Sequence, residues 1–311
     1  MNRRNFISST GLATAGWLST VNSGKPTRAL SKQGQVDGAG SGYDLMREVA
    51  RYRKLDAHCH VNLFDGPPES NIDFADRLHI DKMVVSRPIF DGKGTPADFI
   101  RYNDLVLQAM KKYPTHFLGQ FTVNPLYQKE SLEEIDRRAG QGMVGLKVYT
   151  QVKISDPLFY PIVEKMIKYK MITHMHSNCQ LGLGGYRMKY DTGVRPQTSI
   201  PEDFVAIATR YPEALFQYAH IGGGGDWEYA CKMLAGCKNV YVDTSGSNNS
   251  GHMVDFAVQQ LGIHRVFYGT DNCYYQSIGK ILASNLSDEQ RKMVFFDNYK
   301  NMLLKSGNHV N

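Results

Sequence analysis

Acidic residues are absent from the first thirty positions of this 311-residue chain. Nowhere after them does an apolar run approach the ~20 residues that cross a bilayer as a helix. The first absence sets the N-terminus apart, and the second excludes an expected membrane span in the remainder. Cysteine pairing is missing as well: Cys59, Cys179, Cys231, Cys237 and Cys273 are odd in number and show no C-x-x-C spacing. A disulfide framework is thereby excluded and buried free thiols are expected. The "GGGG" at 222–225 lacks the lysine and serine of a phosphate-cradling loop and reads as a flexible turn. A general basic field is also lacking. Residues 1–30 hold four of the 36 basic residues (Arg3, Arg4, Lys25, Arg28), leaving a remainder near neutrality against 30 acidic ones. That balance argues against a nucleic-acid partner.

What the N-terminus does have is the pair Arg3 and Arg4, ahead of Phe6 and a weakly apolar stretch, "MNRRNFISSTGLATAGWLST". This is similar to a twin-arginine export signal, which hands folded proteins to the twin-arginine export machinery. The expectation is a signal over residues 1–30, a Ser/Gly/Lys-rich linker over 31–42 and one domain over 43–311. The mature protein would then be periplasmic or secreted. Its apolar share of 42% and charged share of 21% are those of a packed globular domain, not of a disordered chain.

Beyond the linker, "YDLMREVARYRK" (43–54) reads as a short amphipathic helix, and then a rhythm sets in. Runs rich in β-branched and apolar residues occur at 55–61, 82–88, 117–123, 143–150, 171–177, 215–222, 240–246 and 265–271. Helical patterns such as "PADFIRYNDLVLQAMKKYP" and "DPLFYPIVEKMIKYK" separate them. Several of these open on Ser, Asp or Pro and close near Gly or before Pro, as helix ends do. Eight strands, each followed by a helix, predict a parallel sheet closed into a single-domain (β/α)8 TIM barrel of the α/β class.

Barrels of this kind place their chemistry at the C-terminal ends of the strands. The first run, "KLDAHCHVN", puts His58 and His60 at i and i+2, on one face of a strand, with Cys59 turned away. Alone, the pair is either two metal ligands or two polar residues closing an ordinary strand. His176 ends the fifth run, His220 the sixth and Asp271 the eighth. Four histidines and a carboxylate converging at one barrel end favour a metal site.

These residues carry a resemblance to the amidohydrolase superfamily, in its amidohydrolase-related (amidohydrolase 2) branch of metal-dependent hydrolases and decarboxylases. "DAHCH" is similar to the opening Asp-x-His-x-His, "HMHSN" to the fifth-strand histidine, and "YAHIGGG" to the His-x-Gly-Gly segment. "VYVDTSG" matches the seventh strand, "YGTDN" the Gly-Thr-Asp of the eighth, and "FFDNYKNMLL" the closing helix. The resemblance implies that His58, His60, His176 and Asp271 ligate one divalent ion, zinc by the nitrogen-rich donor set and manganese as the alternative. It makes Asp271 and His220 the catalytic pair: the carboxylate accepts a proton from water on the metal, and the imidazole serves as base or electrophile. Lys147 in "GLKVY" stands where two-metal relatives carry a bridging lysine. The other reading is a cation facing a substrate carboxylate or an internal one.

Arg87 in "SRP" reads equally as a clamp for a carboxylate or as a surface salt bridge. Tyr149 and Asn124 are expected to shape the pocket. A lid is expected over the Gly-rich segment after His176, with Tyr186, Arg187 and Arg195. Asp56 is expected on the face of His58, orienting a ligand by hydrogen bonding, and His174 one layer deeper in a supporting role.

The function these expectations favour is an exported hydrolase. Metal-held hydroxide would attack a lactone, ester or amide of a small organic substrate, which could carry a carboxylate. The alternative is non-oxidative decarboxylation by the same ligand set. A nuclease of the TatD type, which uses a glutamate where this chain has Lys147, and a non-catalytic metal-binding barrel come behind. A homodimer is the default assembly.

Overall fold

The computed structural model describes residues 42–63, 66–89, 94–179 and 197–310. The expected signal, all but residue 42 of the expected linker, and the Gly-rich segment with Tyr186, Arg187 and Arg195 lie outside the described residues. The chain divides into two units, Met1–Tyr43 and Asp44–Asn311, and the second carries the fold.

Eight strands run in chain order around one parallel sheet. They are β1 Leu55–His60, β2 Lys82–Ser86, β3 Phe117–Phe121, β4 Gly145–Val148, β5 Ile172–Met175, β6 Leu215–Tyr218, β7 Val240–Asp243 and β8 Val266–Phe267. Backbone hydrogen bonds join the two edges: Ala57 N–H donates to Tyr268 O (2.9 Å) and Asp271 N–H to His58 O (2.7 Å). The barrel is therefore closed, as the eight-strand rhythm predicts. Among the helices, α1 is Leu45–Ala50, α2 Pro68–Leu78, α3 Pro96–Lys112, α4 Gln128–Gly140, α5 Tyr160–Tyr169 and α6 Pro201–Arg210. The chain closes with α7 Trp227–Leu234, α8 Met253–Leu261, α9 Tyr274–Leu282, α10 Asp288–Lys292 and α11 Asn298–Lys305. Local signals set the helix starts. In α3, Thr95 and Asp98 form a reciprocal capping box and Pro96 takes the first turn, where its missing N–H costs nothing.

The strands are shorter than the apolar runs that announce them, by one to five residues. Most of the trimmed residues are those at the C-terminal ends, where the chain leaves the ladder and begins the loops that carry polar groups. His176 follows β5 directly, His220 lies two residues past β6, and Asp271 four past β8. Gly222, Gly223 and Gly224 form a packed turn, not a loose one, while Gly225 faces open space. At Gly224 (φ +79°) a Cβ would lie 2.1 Å from Cys179 O.

Alternation sorts strand residues into an outer set packed under the helices and an inner set. The lower inner layer is apolar: Val84, Leu118, Ile172, Leu215, Tyr241 and Phe267 cluster with Leu55 and Ala57. Phe296 and Tyr299, Met302 and Leu303 of α11 seal it from below. Two residues further along each strand, the inner position turns polar: Ser86, Gln120, Lys147, His174, Gln217 and Asp243, all buried.

Strand β1 breaks strict alternation. Its register against β2 shifts between Asp56 and Cys59, which places one extra residue in β1. Ala57 belongs to the barrel interior and Cys59 to the outer core. This bulge corrects the expectation that Asp56 shares the face of His58: Asp56 and Cys59 share the other side, and His58 and His60 resume inward.

Candidate metal centre

His58 Nε2, His60 Nε2 and Asp271 converge at the C-terminal mouth. Asp271 Oδ1 lies 2.9 Å from His60 Nε2 and 3.4 Å from His58 Nε2. Their potential ligand atoms all fall within 4.8 Å of one another. His58 Nε2 is buried and makes no hydrogen bond among the described residues. An orphaned buried imidazole nitrogen is costly unless something takes its lone pair, so the donor set fits a divalent cation. His176 stands outside this group of three and touches it through His220, whose Nε2 lies 3.1 Å from His176 Nδ1.

Electrostatics point the same way. Burial, reinforced by the Lys147 charge, lowers His58 to about 4, and burial is the main cause that brings His220 to about 3. Burial likewise holds His176 well below the ordinary histidine value. These imidazoles are neutral near pH 7, the state in which nitrogen binds a metal. Burial alone would raise Asp271, but His58, His220 and the hydrogen bond from His60 outweigh it and hold the carboxylate well below its usual range.

Three residues here occupy left-handed backbone without being glycine: His220 (φ 62°), Asp271 (φ 50°) and Asn272 (φ 65°). Such conformations persist only where surroundings over-determine them. Asp56 does this from outside the barrel. It accepts from His58 N–H and Thr270 N–H, both at 3.0 Å, and from the Thr270 hydroxyl at 2.5 Å. Asn272 closes a second tie, accepting from His60 N–H (2.8 Å) and donating to His60 O (3.1 Å). Asp56 thus orients the site through backbone, not through a ligand's side chain. The glycine of "YGTDN" is needed for packing: a Cβ on Gly269 would lie 2.9 Å from that of Asp243 and 3.1 Å from that of His58.

Behind the ligands sits a group that reading strand ends alone missed. Asp243, the last residue of β7, is fully buried. Gln217 Nε2 donates to its Oδ2 at 2.9 Å, His58 Nδ1 lies 3.2 Å from the same oxygen, and His174 Nε2 3.3 Å. His220 N–H (3.2 Å), Ser245 N–H (3.1 Å) and the Ser245 hydroxyl engage Oδ1. The signal was present, an aspartate closing an otherwise apolar strand in "VYVDTSG". Ser86, 3.0 Å from His60 Nδ1, was likewise missed. His174 takes the supporting place expected of it, between Asp243, Gln120 (3.1 Å) and Lys147 (3.2 Å).

The other expected residues separate. Tyr149 is buried between the rings of His60 and His176, at 6.1 and 6.3 Å. Lys147 is fully buried, its ammonium 3.2 Å from His174 Nε2, and desolvation lowers it to about 8 against the fields of Asp271 and Asp243. Arg87 forms no salt bridge among the described residues. Its guanidinium lies 5.2 Å over the Tyr102 ring. Asn124 is fully buried and ties loops together, donating to Gly94 O and accepting from Leu126 N–H. Among the described residues no disulfide joins the five cysteines, but Cys237 is only partly buried and Cys273 is exposed, because the latter sits on the loop after β8.

The sequence model of the amidohydrolase family matches residues 55–298. No curated protein matches. Solved structures of the same fold include 2,6-dihydroxybenzoate decarboxylase from Rhizobium, at 15% identity and TM-score 0.64, covering 82% of this chain and 99% of that one. A dihydroxybenzoic acid decarboxylase from a Polaromonas species, with bound manganese and 2-nitroresorcinol, matches at 17% identity and TM-score 0.62, over 81% and 97%. 4-Oxalomesaconate hydratase from Rhodopseudomonas palustris matches at 15% identity and TM-score 0.60, over 81% and 96%.

Proposed function

The chain belongs to the amidohydrolase family, and we propose that within it this protein is a metal-dependent decarboxylase of a small unsaturated or aromatic carboxylic acid. The observation that carries this is Arg87. Its Nε is buried just past the end of β2, and among the described residues it has no hydrogen-bond partner and no carboxylate paired with it. A carboxylate on the substrate would supply the missing partner in bidentate geometry. The named activities of the Rhizobium and Polaromonas structures support the same reading.

His58, His60, His176 and Asp271 would hold the ion. The nitrogen-rich set favours zinc, with manganese the alternative that the Polaromonas structure suggests. When bound, such an ion supplies a Lewis acid that polarises a substrate oxygen. The remaining work falls to the chain. Arg87 and Tyr149 orient the acid. The bond to its carboxyl carbon breaks, the electron pair stays on the substrate carbon, and carbon dioxide leaves. That carbon then takes a proton, for which Asp271 and His220, with Oδ2 and Nδ1 3.6 Å apart, are the available carriers. Buried Lys147 offsets the charge of the two internal carboxylates.

Hydrolysis of a lactone, ester or amide is the second reading, favoured by the Asp271 carboxylate, held ionised beside His58 and His60 as an acceptor for a proton from water. Carbon dioxide release from hydroxylated benzoates, set against ring opening of a lactone panel, separates the two. Carbon dioxide release that chelation abolishes and metal restores is expected, together with a KM rise of about tenfold or more in Arg87→Ala. Ring opening alone would replace this reading with the second. The reading extends to location: export of the full chain should be lost when Arg3 and Arg4 are both replaced by Lys.

A further inference from the structure

The loops after β6 and β7 meet backbone to backbone. Gly246 (φ +100°) leaves no room for a side chain, since a Cβ there would lie 2.4 Å from the carbonyl carbon of Gly222. Lys280 of α9 pins the second loop by donating to Thr244 O (3.1 Å) and Gly246 O (2.6 Å). The clamp holds the fully buried Ser245 against three polar groups. Its hydroxyl contacts Asp243 Oδ1, lies 2.9 Å from His220 Nδ1, and lies 3.2 Å from His58 Nδ1.

One hydroxyl has one proton to give and two lone pairs to offer. Asp243 takes N–H donors from the His220 and Ser245 backbone and from the Gln217 amide, so it is surrounded as an acceptor. The Ser245 proton therefore goes to Asp243, so Nδ1 of His220 must donate to Ser245, and Nδ1 of His58 faces only acceptors, Ser245 Oγ and Asp243 Oδ2, each at 3.2 Å. We propose that Ser245 is a positioning residue that fixes His220, and together with Asp243 fixes His58, in the same tautomer, protonated on Nδ1, so that both Nε2 atoms keep their lone pairs. At His58 that lone pair is the one left without a hydrogen bond among the described residues. At His220 it accepts from His176 Nδ1 at 3.1 Å, which leaves Nε2 of His176 as that ring's own lone-pair nitrogen. Ser245, with Asp243 behind it, thus aligns three imidazoles whose sequence positions lie far apart.

The tautomers follow from hydrogen bonds alone; only their catalytic consequence rests on the function proposed above. The test is long-range proton–nitrogen NMR on the full chain labelled with 15N-histidine, before and after zinc addition. Signals are assigned through His58→Gln and His220→Gln. Protonated Nδ1 in both rings of the unsubstituted protein is expected. Ser245→Ala should convert His220 to a mixture or to the Nε2-protonated form, and Ser245→Thr should keep the original one. With a substrate in hand, Ser245→Ala should lower kcat by roughly 10–100-fold with KM nearly unchanged. Nε2 protonation in the unsubstituted chain overturns the proposal, as do unchanged tautomers in a folded Ser245→Ala variant. Should Ser245→Ala fail to fold, the first measurement alone decides. Correct tautomers in a protein that decarboxylates nothing would refute the function and leave this inference standing.

Discussion

The two inner layers of the barrel differ by a step of two residues along each strand, and they are built on opposite principles. Below, Val84, Leu118, Ile172, Leu215, Tyr241 and Phe267 are sealed by Tyr299, Met302 and Leu303. Such side chains stabilise by burial, each by roughly 1.5–3 kcal/mol, and tolerate neighbours of similar shape. Whereas Leu118, Leu215 and Tyr241 below are partly buried, Ser86, Gln120, Lys147, His174, Gln217 and Asp243 above are all buried. They gain little from burial and depend on partners being in place, because an unpaired buried polar group costs ~1–3 kcal/mol. The lower layer holds the barrel together, and the upper one aims the groups at its mouth.

The largest expected effect lies at that mouth. His58→Ala should abolish metal retention, measured by elemental analysis after dialysis, and activity with it. His220→Ala should keep the metal yet lose ~10²–10⁴-fold in turnover. Equal metal loss in both would erase the division between ligand and proton carrier. Next comes a cut through the lower layer. Ile172→Ala should cost ~2–5 kcal/mol in urea unfolding while the metal content per folded chain stays constant. Metal loss there would show that the two layers are not separable. Asp243→Asn tests the junction and should show both signatures in reduced form. Metal affinity should fall ~10–100-fold and stability by ~1–3 kcal/mol.

The smallest effect concerns a buried lysine at the opposite end of β1. Lys54, just before β1, is fully buried with its ammonium donating to Val49 O (2.6 Å), Tyr52 O (2.8 Å) and His79 O (3.3 Å). Desolvation lowers it from 10.5 to about 8. Between those values the unfolded chain binds the proton that the folded chain has released. Stability from this group therefore rises with pH across the window, by at most ~1.4 kcal/mol per unit. The unfolding free energy of the unsubstituted protein minus that of Lys54→Met should climb from pH 8 to 10. A flat or falling difference would mean that the three carbonyls keep Lys54 charged.

Much of this architecture was legible in order along the chain. Periodicity and helix-end chemistry are local, so the eight strands, their helices and the residues at the strand ends could be read directly. The same alternation also marked the polar layer, but reading only the final residues of each run picked out Lys147 and His174 and passed over Gln120, Gln217 and Asp243. Other features had no local signal. The bulge that puts Asp56 outside the barrel exists because β1 must pair with β2 on one edge while it meets Tyr268 and Asp271 on the other. Arg87 could be placed at the mouth, but whether a carboxylate waited for it depended on loops distant in sequence.

By itself the sequence determined the alternating strands and helices, the His-x-His opening and the set of nitrogen and oxygen donors, because these follow from spacing within a few residues. Only the tertiary structure decided that Asp243 would bind His58, that Ser245 would bind both His58 and His220, and that His220 and Asp271 would sit in left-handed backbone. Those outcomes depend on which strand edges meet when the sheet closes. Closure brings together residues nearly two hundred positions apart, and no local pattern encodes which of their polar atoms will face each other.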